Sequence, residues 1–261
     1  MIRIQGFSTA LKTLTVIPWP DRERENLASS LPWFPVIGLI LGLMLYILAR
    51  LWGLFLPHGQ WPAGAAMAIL AAEIGFTRAL HLDGLADWAD SLGGMYTREK
   101  RLDIMKDSHV GAFGAIVLIL MLMTKWIVFE RILSTGSIIW LMLIPVISRD
   151  MMVELITSLP YARSGYGMGK DFVEGASLRH RITSHGIGLI LCIPMGPLGL
   201  LFWILALFVT RIFRRRCLKG FGGITGDLLG TANEMIELFL LIVCALPGEY
   251  ILHYTGWGWI F

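Results

Sequence analysis

The chain has 261 residues, of which 56% are hydrophobic and 16% charged, with a formal net charge of +3. Soluble domains carry about 25% charged residues, so this balance, with a mean hydropathy of +0.67, excludes an ordinary water-soluble fold and makes lipid the expected solvent. The net charge says little by itself, and nucleic acid is not an expected partner.

The opening residues, 1–20, do not read as a signal peptide, because Lys12 interrupts their apolar stretch. Phe7, Leu11 and Leu14 share helical spacing and predict an interfacial helix there. Apolar runs then predict membrane spans over residues 33–54, 63–80, 110–129, 138–159 and 228–246, each near the roughly 20 residues a bilayer requires. Residues 185–213 form an apolar stretch too long for one plain helix and short for two, broken by Pro194, Gly196 and Pro197. Read as a hairpin of two short helices, it brings the total to about seven transmembrane helices in a single all-α membrane domain over residues 1–261. Read as one span, it puts the loop after it on the opposite side.

Basic residues decide between these. Arg98, Lys100, Arg101 and Lys106 fall in the segment 81–109; Arg163, Lys170, Arg179 and Arg181 in 160–185; Arg214, Arg215, Arg216 and Lys219 in 214–227. Segment 57–62, after the first span, has no Lys or Arg. The hairpin places all three basic segments together as cytoplasmic loops, with the amino end inside, the carboxyl end outside, and Trp257 and Trp259 at the outer interface. Cys192, Cys217 and Cys244 have neither the even count of a disulfide framework nor the spacing of a zinc site.

The most informative stretch is His81-Leu82-Asp83-Gly84-Leu85-Ala86-Asp87-Trp88-Ala89-Asp90. Asp83, Asp87 and Asp90 stand at i, i+4 and i+7 and share one helical face. Like charges so placed repel unless a cation sits among them. Mg²⁺ is the natural candidate, because it takes hard oxygen ligands and bridges carboxylates to substrate phosphates. The plain alternative is a solvated acidic face. The ligand spacing of an EF-hand is absent.

A second constellation, Gly222-Gly223-Ile224-Thr225-Gly226-Asp227, opens the last span. Glycines allow close backbone approach, and a helix amino end offers unpaired N–H groups to an anion. Asp227 and Glu234, seven residues apart, lie on one face, with Asn233 beside them and Glu237 a turn later. Acids within an apolar span are costly and tend to be functional; a capped helix with structural polar contacts is the alternative. Asp107-Ser108-His109 either extends a metal or phosphate site or caps the next helix. Arg149 and Asp150 invite a mutual ion pair. Arg163 is a solvated loop residue or a phosphate ligand. His81 is a cap, a base or a structural group. Glu73 has no reading.

Together these residues resemble the cobalamin synthase family, the adenosylcobinamide-GDP ribazoletransferases. The resemblance runs in order through Phe34-Pro35 and Gly38, His81 to Asp90, Ile104-Met105-Lys106-Asp107-Ser108 with Gly111 and Gly114, Ser148-Arg149, Tyr161-Ala162-Arg163, and Gly222-Gly223 with Thr225-Gly226-Asp227, Gly230 and Glu234. The family often has glycines before the His-Leu-Asp block, where this chain has Arg78-Ala79. The resemblance implies a Mg²⁺-dependent enzyme of the bacterial cytoplasmic membrane, working in nucleotide loop assembly with its site facing the cytoplasm. A ribose hydroxyl of α-ribazole or its 5′-phosphate attacks the phosphate next to the cobinamide arm of adenosylcobinamide-GDP, and GMP leaves. Asp83, Asp87, Asp90 and Asp227 are the expected metal ligands, and Asp83, Asp87, Asp107 and Asp227 the expected catalytic acids. His81, Arg149, Arg163, Gly222, Gly223, Thr225, Gly226 and Glu234 are the expected substrate contacts. Membrane lipid, a second copy of the chain and other corrinoid-pathway enzymes are candidate partners.

Two other readings compete. A CDP-alcohol phosphotransferase also sets several Asp residues at one membrane face, but its Asp-Gly…Ala-Arg pattern fails here, where Asp87 follows Ala86. An ion or solute transporter places coupling acids on broken helices near the midplane, whereas 185–213 carries no acid.

Overall fold

The computed structural model describes residues 4–19, 27–56, 61–165 and 167–248. Segment 57–60 and the tail bearing Trp257 and Trp259 lie outside them. All named elements are helical: α1 (Ile4–Leu14), α2 (Phe34–Phe55), α3 (Pro62–Thr77), α4 (Leu80–Ser91), α5 (Arg98–Ile104), α6 (Ala112–Ser134), α7 (Trp140–Ser158), α8 (Met168–Glu174), α9 (Leu178–Cys192), α10 (Gly196–Phe221) and α11 (Gly226–Ala245). The amphipathic spacing in α1 is used against protein, since Ala10, Leu11 and Leu14 are buried in the main core.

Helix α7 is the axis of the bundle. Nearly every residue from Trp140 to Ile156 is buried, including the polar Ser148, Arg149, Asp150 and Glu154. Close approach by α2 achieves it. A Cβ at Gly38 would collide with the Pro145 carbonyl and one at Gly42 with the Met142 carbonyl. In lipid, where apolar surface gains little from leaving the solvent, such small-residue contacts let backbones pack closely.

Among the described residues four stretches are long and apolar enough to cross a membrane: Leu27–Phe55, Ala112–Ser134, Leu178–Phe221 and Gly226–Ala245. Counting the bent pair α3–α4 makes five. The predicted second span ends early. Arg78 and Ala79 both adopt left-handed φ of 54°, and α4 leaves α3 at 88°. Such φ values are strained for non-glycine residues. Segment 81–109 is therefore largely helical (α4 and α5) rather than a loop, and α9 and α10 likewise extend into the expected loops 160–185 and 214–227.

The 44-residue stretch Leu178–Phe221 is a hairpin in its folding. Gly196, at φ 61°, reverses the chain. His185 of α9 and Trp203 of α10 then meet edge-to-face with ring centroids 5.2 Å apart. Asp150 of α7 holds both: the Trp203 indole N–H donates to it at 2.8 Å, His185 Nδ1 lies 2.9 Å away, and the Ser184 hydroxyl donates at 2.7 Å. The loop after α7 consequently lies beside the loop after α10. Ala162 donates its N–H to the Ile224 carbonyl at 3.0 Å and Ile224 donates to Pro160 at 2.9 Å. Arg98, the first residue of α5, donates to the Ala162 carbonyl. The three basic segments thus share one end of the bundle, the arrangement that the hairpin reading of 185–213 requires.

Candidate active site

That shared end carries the acidic residues. Helices α4 and α11 run antiparallel in close contact, because both faces are stripped to glycine at the crossing. A Cβ on Gly84 would come within 2.6 Å of the Asp227 carbonyl oxygen, and one on Gly230 within 3.0 Å of the His81 Cα. The Thr231 hydroxyl donates to the Gly84 carbonyl at 3.0 Å. Gly84→Val is expected to push the helices apart and to cost at least about 1–3 kcal/mol as an overpacking change. A fall in the melting temperature of the detergent-solubilised protein checks this, and an unchanged one would count against the close crossing.

The crossing brings Asp83 and Asp87 of α4 to Asp227 in the first turn of α11. Asp87 is exposed to the negative charge of Asp227, Asp83 and Asp90 and to the positive charge of Arg163. Arg163 donates to Asp227 at 2.7 Å and to the Met105 carbonyl at 3.0 Å. Asp83, Asp227, Arg163 and His81 line a cavity of about 260 Å³, together with Tyr161 and with Gly167 and Gly169 ahead of and within α8. These last three were not legible as site residues in the sequence, although Tyr161 belongs to one of its motifs.

Other expected site residues are used differently. Both Asp90 oxygens accept backbone N–H groups at the start of α6, from Gly111 at 2.7 Å and Gly114 at 2.8 Å, so this carboxylate fixes α6 to α4. Asp107 is tied to its neighbour His109, whose ring Nδ1 lies at 2.7 Å and whose N–H donates at 3.0 Å. These bonds hold its carboxyl below the usual carboxylate range. Two N–H groups of the glycine loop are already engaged within the protein, Gly222 with Leu218 and Ile224 with Pro160, while Thr225 caps α11 by accepting from Leu228 at 3.2 Å. Gly223 sits tightly under Pro160 and Gly222 under the Arg98 guanidinium. A phosphate cradle here is left with Gly223, Thr225 and Gly226.

Arg149 and Glu234 lie inside the bundle. Arg149 does not pair with Asp150; its guanidinium binds Glu237, and Asp150 faces α9 and α10. Lys125, in the middle of α6, joins Glu73 at 2.7 Å, Glu234 at 2.8 Å and Glu237 at 3.0 Å. This explains Glu73, for which the sequence offered no reading, and Lys125 itself went unnoticed. A lysine inside an apolar helix demands a partner, and that was the available signal. His81 links this interior network to the cavity. It is no cap: its ring is buried, with Nδ1 2.9 Å from the Asn233 amide and 3.8 Å from Glu234.

The donor set can be tested against Mg²⁺. Among the described residues no three ligand-type side chains converge closely enough to make a closed metal site. Mg²⁺, however, keeps several waters and takes one or two carboxylates plus substrate phosphates. Carboxylates on two facing helices, opposed by a single guanidinium, suit that mode of binding.

The description "Cobalamin-5-phosphate synthase" belongs to the family model that matches residues 6–245. The chain belongs to this family. Among curated relatives, the adenosylcobinamide-GDP ribazoletransferase of Syntrophobacter fumaroxidans is 40% identical over 245 residues, covering 92% of this chain and 97% of that protein. Those of Chlorobium phaeobacteroides and Chlorobaculum parvum are each 38% identical over 250 residues, covering 92% and 93% of this chain and 96% of theirs. No solved structure matches significantly. Membership in the cobalamin-5-phosphate synthase family removes the support for the phospholipid-synthesis and transporter readings. It also gives physical content to the motif positions: Gly38 seats α2 on α7, Gly111 and Gly114 receive Asp90, and Gly230 seats α11 on α4.

Proposed function

We propose that the chain transfers the adenosylcobinamide phosphate moiety from adenosylcobinamide-GDP to α-ribazole or α-ribazole 5′-phosphate, releasing GMP and forming adenosylcobalamin or its 5′-phosphate. The observation that carries this reading is the meeting of Asp83 and Asp227 beside Arg163 at one cavity, with Asp87 near enough to feel the charge of all three, in a family whose relatives are named for that activity. A ribose hydroxyl oxygen of the acceptor bonds to the phosphorus next to the cobinamide arm, the bond to the bridging pyrophosphate oxygen breaks, and that oxygen leaves on GMP while the hydroxyl proton passes to solvent. Little covalent work falls to the protein in such a transfer; positioning and charge stabilisation dominate. Arg163, anchored by the Met105 carbonyl, presents a guanidinium suited to phosphate oxygens. Mg²⁺ held by Asp83, Asp87 and Asp227 would neutralise charge on the pyrophosphate. Asp90 keeps α4 and α6 in register. Chelation is expected to abolish GMP release and added Mg²⁺ to restore it. Full turnover in metal-free buffer would remove the metal from the scheme.

The proposal includes seven spans in the cytoplasmic membrane with this end of the bundle inside. Single cysteines at Thr97, Gly175 and Lys219, in a background lacking the buried Cys192, Cys217 and Cys244, should then all label from the cytoplasmic side. Labelling of all three from outside only would invert the orientation.

A further inference from the structure

A cavity of about 580 Å³ lies apart from the one lined by the carboxylates. It opens between α4, α5, α10 and α11, and Trp88, Ile212, Phe213 and Met235 form apolar walls. Trp88 lies about 140° around α4 from Asp83, at 3.6 residues per turn, so this cavity is on the other side of that helix from the acidic face. Its mouth is basic, formed by Arg101, Arg216 and Lys219. The Nε of Arg101 is buried without a hydrogen-bond partner. Among the described residues none of the three side chains has an acidic partner.

The location of this mouth follows from α10. Residues 196–210 carry no charge, and Arg211, Arg214, Arg215, Arg216 and Lys219 follow within nine positions. On a membrane helix this change marks the passage from hydrocarbon to headgroups. The cavity straddles it, with Ile212 and Phe213 among its apolar walls and Arg216 and Lys219 at its rim. We infer that it holds one anionic phospholipid, its acyl chains on the apolar walls and its phosphate on Arg101, Arg216 and Lys219. A free anion has no use for the walls, and a lipid without net charge leaves the cations unneutralised.

The test uses the full chain in discs of mixed phosphatidylcholine and phosphatidylglycerol. The protein is re-extracted in mild detergent, and its retained lipid is counted by native mass spectrometry. Phosphatidylglycerol is expected to be retained over phosphatidylcholine by about tenfold or more, given the usual attraction of each basic residue to an anionic surface. Arg216→Ala and Lys219→Ala, both at exposed positions, should each reduce that preference, and combining them with Arg101→Ala should bring it to parity. Ile212→Trp, filling the cavity, should lose both lipids. Lys100→Ala and Arg179→Ala, exposed and away from the cavity, should change nothing. Retention of the preference by the triple variant would overturn the proposal. So would displacement of phosphatidylglycerol by inorganic phosphate, which would make the mouth a free-anion site, or by adenosylcobinamide-GDP, which would make the cavity part of the substrate site.

Discussion

Asp83→Asn and Asp227→Asn are each expected to reduce GMP release on the order of a thousandfold, while the protein still inserts and folds. Each removes a negative charge without changing side-chain shape, and several kcal/mol of charge stabilisation in the transition state corresponds to that factor. The two residues come from helices 144 positions apart in the chain, yet Gly84 lies against the Asp227 backbone, so they serve one place. Groups that act as a unit are strongly non-additive. The double variant should accordingly be scarcely slower than either single one. Asp103→Asn, at an exposed residue paired only with Lys106, is the control and should retain activity. Size exclusion in detergent checks folding, and turnover is read at saturating Mg²⁺. Near-normal turnover by Asp227→Asn would break the shared site, as would losses that simply multiply in the double variant.

Much of this arrangement was legible in the sequence, and the failures have identifiable physical reasons. The predicted span 33–54 is matched by α2 at Phe34–Phe55, because apolar length is a local property. The break at Pro194 and Gly196 marked the reversal between α9 and α10, and the basic segments that favoured the hairpin lie together at one end of the bundle. The ends were less legible. Helix α10 continues through Arg211–Lys219 to Phe221, since a helix need not stop where its apolar run meets headgroups. The sharp turn at Arg78 and Ala79 was hidden because neither is glycine, although both adopt the conformation glycine favours. The acids of α4 were correctly placed on one face, but Asp90 turned out to cap α6. Periodicity reveals which residues share a face and is silent about what that face meets. The same limit applies to Arg149, whose sequence neighbour Asp150 points toward α9 while its actual partner Glu237 is 88 residues away.

Lys125→Met should be the most destabilising change in the interior. The lysine is almost fully buried and touches Glu73, Glu234 and Glu237, drawing α6 toward α3 and α11. Without it, three buried carboxylates face the Arg149 guanidinium alone. Breaking a buried ion pair from one side costs about 3–5 kcal/mol, because the remaining charge is stranded away from water. Methionine fills the space left by the lysine stem, so the loss reports charge rather than a cavity. The network already contains three acids and two bases, and from this follows a result of opposite sign: Glu73→Gln alone should be neutral or slightly stabilising, since Lys125 keeps two partners. In the Lys125→Met background, Glu73→Gln should recover part of the lost stability, a coupling of about 1 kcal/mol or more between residues in contact. Thermal unfolding of the solubilised protein measures all three variants. If Lys125→Met melts with the parent, or if Glu73→Gln fails to rescue it, these charges do not hold the helices together, and the link from this network through Asn233 and His81 to the cavity wall loses its anchor.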